Sequence, residues 1–71
     1  MKVSISSREL EILRKSADGL SVQQIARDLN VSQQVISKSQ KEILAKTGSA
    51  NVLTALQVLA KKGFILTEDR G

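Results

Sequence analysis

The chain has 71 residues, enough for one domain, and contains neither cysteine nor histidine. That excludes disulfides, thiolate metal sites, a cysteine nucleophile and the commonest general base at neutral pH. Lysine plus arginine number 11 against 7 acids, for a formal net charge of +4 and a pI of about 9.9, a balance that favours a polyanionic partner.

The excess is uneven. Residues 1–32 hold five bases and four acids, whereas residues 33–71 hold six bases and three acids. Phe64 is the only aromatic residue, so a protein that stacks single-stranded bases on aromatic platforms is not expected. No apolar run approaches the ~20 residues of a membrane span and no signal-peptide pattern follows Met1, so a cytoplasmic chain is expected. A domain this small often needs a staple, and with metals and disulfides gone self-association is the one that remains.

Four helices are predicted. Ser6 followed by Glu9 is a capping box, with Ile5 and Leu10 placed as a hydrophobic staple. Glu9 and Glu11 near its start and Arg14 and Lys15 near its end suit the helix dipole. This first helix is expected over about 7–18. Leu20, Ser21, Gln24 and Ile25 repeat the same grammar, opening a short helix over 22–29 that Asn30 ends.

Ser32 caps a third helix over 33–47, stopped by Gly48. At 100° per residue, Ile36, Gln40, Ile43 and Thr47 share its inner side, and Gln34, Ser37, Lys38, Lys41 and Ala45 the opposite one. That outer side carries no acid. Glu42, at its edge, is spaced to pair with Lys46. Ser49 or Asn51 caps a fourth helix over 51–62, ended by Gly63. Its core stripe is read as Val52, Leu53, Leu56, Leu59 and Ala60, with Ala55 and Val58 outside it. Phe64, Ile65 and Leu66 add an apolar patch that must pack somewhere, and the tail 67–71 is expected to fray. The fold class expected is all-α, four helices with no sheet, in one domain over 1–71.

The join of the second and third helices is the informative feature. Two helices with almost no connector, with small Ala26 at their crossing, Asn30 at the turn and Ile36 beyond it, make a helix-turn-helix pattern. That pattern holds the N-terminal residues of the third helix toward a major groove. Gln33 and Gln34 carry amides that can pair bidentately with adenine, and Ser37 can donate or accept. Lys38 and Lys41 can reach guanine edges or phosphates. Ser21 and Ser32, at helix N-termini, can bind phosphates.

These residues carry a family resemblance. Ile5-Ser6-Ser7-Arg8-Glu9-Leu10-Glu11-Ile12-Leu13 resembles the "LTxREREVL" opening of LuxR/FixJ-type (GerE-like) DNA-binding domains. Gly19-Leu20-Ser21 with Ile25-Ala26 resembles their "GLSNKEIA" segment. Val31-Ser32 and Ile43-Leu44-Ala45-Lys46 resemble the framework of their third helix, and Gly48 through Asn51 with Ala55 their "LGVRNRTEA" stretch. The likeness runs without gaps from about Ile5 to Ile65. It implies a four-helix domain with the third helix in the major groove and the fourth at a two-fold dimer contact, for which Leu53, Ala55, Leu56, Val58 and Leu59 are the candidates. The family's "TVKxH" is here Val35-Ile36-Ser37-Lys38-Ser39, so serines stand at its lysine and histidine. Gln40 and Thr47 occupy positions usually apolar in the family. The start of the third helix, Val31 to Ile36, is also similar to that of phage repressor and Cro proteins.

The function expected is a sequence-specific double-stranded DNA-binding transcription regulator of bacterial or phage origin, acting as a homodimer. The alternative is a protein-interaction module that keeps the fold, binds another regulator and touches DNA weakly or not at all. An enzyme is not expected, since no nucleophile–base cluster or Gly-rich phosphate loop is present, and neither a cofactor nor a metal is implied.

Overall fold

A computed structural model describes residues 2–67. The elements in chain order are β1 (Val3–Ser6), α1 (Ser7–Ala17), α2 (Val22–Leu29), α3 (Gln33–Thr47), α4 (Val52–Lys62) and β2 (Phe64–Thr67). Both capping boxes form. Ser6 Oγ accepts from the Glu9 N–H at 3.0 Å while the Ser6 N–H donates to Glu9 Oε1 at 2.9 Å. Ser21 and Gln24 do the same at the start of α2. Between Ser49 and Asn51 the cap falls to Asn51, whose side chain accepts from the Thr54 N–H. Each such cap contributes about 1 kcal/mol.

The expectation of a fold without a sheet is overturned. β1 and β2 pair in parallel, Val3 opposite Phe64 and Ile5 opposite Leu66. Parallel neighbours need a long crossover, and here the whole four-helix unit supplies it. Gly63, at φ 77 and ψ 166, turns the chain out of α4 into β2 through a conformation that side chains other than glycine's scarcely reach. Thr67, expected in a frayed tail, is the last residue of β2, and the rest of that tail lies outside the described residues.

Two hydrophobic clusters meet on α1. Leu13 faces Ile5, Ile43, Ala55 and Leu59, and its neighbour Ile12 faces Ile25, Ala26 and Ile36. α1 is thus a shared wall between the helix-turn-helix pair and the α4–sheet side. Six side chains, Ile5, Ile12, Leu13, Ile25, Ile36 and Ile43, are fully buried, each worth roughly 1.5–3 kcal/mol relative to exposure.

The stripe on α4 is rotated from the one expected. Ala55 and Leu59, candidates for a dimer contact, are 0% and 2% exposed within this chain's own core, so neither is available to a partner. Leu53, assigned to the core, is 63% exposed, and Ala60 is exposed as well. The helix is apolar nearly all round, so its sequence leaves the phase open, and the small Ala55 is what lets α4 approach the core closely.

The two polar residues on the inner side of α3 are accommodated by hydrogen bonds. Gln40 Nε2 donates to Ser16 Oγ at 2.9 Å, tying α3 to α1. Thr47 Oγ1 donates to the Ile43 carbonyl at 2.9 Å, one turn back. Among the described residues, no buried side-chain nitrogen or oxygen is left without a partner. No single helix there is long and apolar enough to cross a membrane.

Candidate nucleic-acid interface

The site is built on the turn between α2 and α3. Asn30 closes α2 in the left-handed conformation, φ 56 and ψ 46, which asparagine tolerates and β-branched residues do not. Its own N–H donates to the Arg27 carbonyl, and the Val31 N–H donates back to the Ala26 carbonyl at 3.0 Å. Ser32 then caps α3 at once, its Oγ accepting from the Val35 N–H. Buried Ile25, Ala26 and Ile36, with Leu29 and Val31 packed against them, lock the two helices together. This rigid joint fixes where the start of α3 points.

What α3 presents from that joint is uniform in character. Gln33, Gln34, Ser37, Lys38 and Lys41 are all exposed, the last four on the side opposite Ile36 and Ile43. Neither lysine has an ion-pair partner among the described residues, so both charges are available to an outside anion. The first turn of α3 carries no acid. Ser21 and Ser32 are exposed caps whose Oγ atoms accept from backbone N–H groups, which leaves each hydroxyl proton free to donate. The amides, two cations and two helix N-termini therefore lie on the α2–α3 unit, with a chemistry that suits base edges and phosphates.

Other expectations on charge resolve differently. Lys46 does not pair with Glu42. It crosses to Glu9 on α1, 3.0 Å from Oε1 and 3.1 Å from Oε2, and donates to the Ser4 carbonyl at 3.2 Å. Glu42 is exposed. Lys15 reaches Asp28 on α2 at 3.4 Å across the surface. Of the dimer candidates, Leu53 is exposed, Leu56 and Val58 are half-buried, and Ala55 and Leu59 are internal. Ile65 and Leu66, exposed on β2, belong to the apolar 64–66 patch expected to pack somewhere, the alternative to the fourth helix for a dimer contact.

A short helix, a left-handed turn, and a longer helix whose polar face is held outward define a helix-turn-helix domain. Residues 3–59, most of the chain, match the model of the bacterial regulatory proteins of the luxR family, and the chain belongs to that family of helix-turn-helix DNA-binding regulators. No curated protein matches it. β2 lies beyond the matched residues.

Proposed function

We propose that this chain is a sequence-specific transcription regulator that reads double-stranded DNA in the major groove with α3, as a homodimer in the bacterial cytoplasm. The observation that carries the reading is the unpaired, acid-free start of α3, with Gln33, Gln34, Ser37, Lys38 and Lys41 exposed on a locked joint. Gln34 and Lys38 make the base contacts. Lys41 serves a phosphate or a base edge, and Ser21 and Ser32 hold phosphates. Leu53, Leu56 and Val58 on α4 are the remaining helix-four candidates for the dimer contact. A two-fold dimer reads half-sites roughly 10 bp apart or a small multiple of that.

Selection of duplexes from a random pool tests this, run on the native chain and on a Gln34→Ala/Lys38→Ala double variant. Enrichment of a two-fold motif by the native chain, lost in a folded variant, upholds the reading. Weak binding by both, with no enriched motif and the same salt slope, overturns it. A protein-interaction module is then the better reading, one for which Ser37 and Ser39, standing at the family's lysine and histidine, record lost DNA contacts.

A further inference from the structure

We propose that the groove between β1 and the C-terminal ends of α3 and α4 is a binding site for a small organic carboxylate. Its head sits on Lys2, Lys62 and the Ser4 N–H, and its apolar body lies on Val3 and Val58. The site goes beyond the DNA reading and rests neither on the contacts of α3 nor on a dimer.

The fold brings two cations together from opposite ends of the chain. β1 lies beside β2 with Val3 opposite Phe64, which sets Lys2 next to Gly63 and Lys62. The stem of Lys2 packs over Gly63, its Cγ, Cδ and Cε 3.6–3.9 Å from where a Cβ would stand. Lys2 and Lys62 line one open groove of about 370 Å³, and no acid lines it with them. Neither lysine has an ion-pair partner among the described residues. Two cations that converge without a counter-ion repel one another, and an anion seated between them relieves that repulsion.

Lys46 lines the same groove, but its charge is already answered by Glu9, and its Nζ donates to the Ser4 carbonyl. That last contact orients a further donor. In a strand the N–H and C=O of one residue point to the same side. The Val3 N–H donates to the Gly63 carbonyl, so Val3 faces β2 and Ser4 faces away from it. The Ser4 N–H therefore points to the side on which Lys46 stands, and among the described residues it has no acceptor. It is a fixed backbone donor beside two free ammonium groups.

Charge and shape select the ligand. α3 and α4 both end at the groove, with Lys46 and Lys62 in their last turns. Each helix C-terminus carries roughly half a negative charge. The two ends together offset about one of the two free positive charges, and the remainder suits a single carboxylate rather than a polyanion. Val3 and Val58, both half-buried, give the groove an apolar wall that a bare head group leaves uncovered. The volume lies at the small end of the range for ligand sites, which fits a short acyl chain. Gln33 and Gln34 stand at the opposite end of α3, so the carboxylate does not compete with what they touch.

Hexanoate, acetate and 1-hexanol are the probes, titrated into the full chain and followed by amide chemical shifts. Hexanoate is expected to saturate, with a downfield move of the Ser4 amide proton, shifts at Val3, Val58 and Lys62, and none at Gln33 or Gln34. Acetate, the head without the body, is expected to bind at least about tenfold more weakly, and hexanol, the body without the head, to leave the Ser4 proton in place. Lys2→Gln and Lys62→Gln are each expected to weaken hexanoate about threefold to tenfold. The double variant is expected to lose saturation with helix content unchanged, since both side chains are exposed. Hexanoate shifts that spread over the surface lysines without saturating, or that persist unchanged in the double variant, overturn the site. Hexanol binding as tightly as hexanoate overturns the role of the lysines, and acetate binding as tightly overturns that of Val3 and Val58. A double variant that lowers the salt slope of DNA binding by about 2, with no probe bound by the native chain, gives the lysines to DNA phosphates and overturns the carboxylate site.

Discussion

Lys46 Nζ lies 3.0 Å from Glu9 Oε1, joining the last turn of α3 to the first turn of α1 across 37 residues of sequence. Glu9 also completes the cap on Ser6, and Lys46 also holds the Ser4 carbonyl. One ion pair therefore clamps α3, the entry of α1 and the outer edge of β1. The Glu9 side chain is largely buried and that of Lys46 partly exposed, so the pair falls between a surface bridge and a buried one. Lys46→Met is expected to destabilise the fold by about 1–2 kcal/mol, because it leaves a shielded carboxylate without its counter-charge. Glu9→Ala, which removes the cap as well, is expected to cost about 2–3 kcal/mol. Urea midpoints of both variants and of the double variant check this, and simple additivity would show the pair to be uncoupled.

Asn30 tests the joint. Its left-handed backbone makes Asn30→Gly nearly neutral, within a few tenths of a kcal/mol, whereas Asn30→Val is expected to cost about 1–2 kcal/mol. Ala26→Leu is expected to cost about 1–3 kcal/mol by overpacking the α2–α3 crossing. Thermal unfolding followed by far-UV circular dichroism measures each.

Thr47→Val is expected to leave stability unchanged or raise it by about 0.5–1 kcal/mol. The Thr47 hydroxyl bonds back to a helix carbonyl, and that carbonyl keeps its place in the helix when the hydroxyl is removed. Gln40→Leu differs, because it orphans Ser16 Oγ on α1. It is expected to destabilise by about 1 kcal/mol, and Ser16→Ala in the same chain to recover most of the loss. Denaturant titration of the four chains distinguishes the two sites.

The interface makes a prediction in salt. Lys41→Ala is expected to lower the slope of log affinity against log salt by about 1, as loss of a phosphate contact does. Ser37→Lys, which places a cation where the family pattern has one, is expected to raise the slope by about 1 and the affinity severalfold. Fluorescence anisotropy on a selected duplex, between about 50 and 200 mM salt, checks both. An unchanged slope in each variant would place those side chains away from the phosphates.

Helix ends and the turn were legible because their signals are local. Ser6 with Glu9, Ser21 with Gln24, Asn30 and Gly48 each act within a few residues, and the structure uses every one of them. The buried side of α3 was legible from its period, Gln40 and Thr47 included. The sheet was not. Val3–Ser6 and Phe64–Thr67 are four residues each, too short for their pattern to mark a strand, and each is a strand only because the other end of the chain lies beside it. Ile5 reads locally as a staple and is in fact the buried centre of a strand. The stripe on α4 was misphased because Val52, Leu53, Ala55, Leu56, Val58, Leu59 and Ala60 leave little polar surface to mark the outside. Lys46 was given to Glu42 by the four-residue rule, while its partner on α1 has a shielded carboxylate that no local rule reveals. The exposed residues at the start of α3 were legible as a surface, and what that surface touches is not written in the sequence.

The most direct test of the central claim is an amide chemical-shift titration of the native chain with a selected duplex. The account predicts that the largest shifts fall on Gln33, Gln34, Ser37, Lys38 and Lys41, with Ser21 and Ser32 beside them, and that the α1 core residues Ile12 and Leu13 stay still. Shifts confined to α4 and β2, with the start of α3 unmoved at saturating duplex, would contradict it.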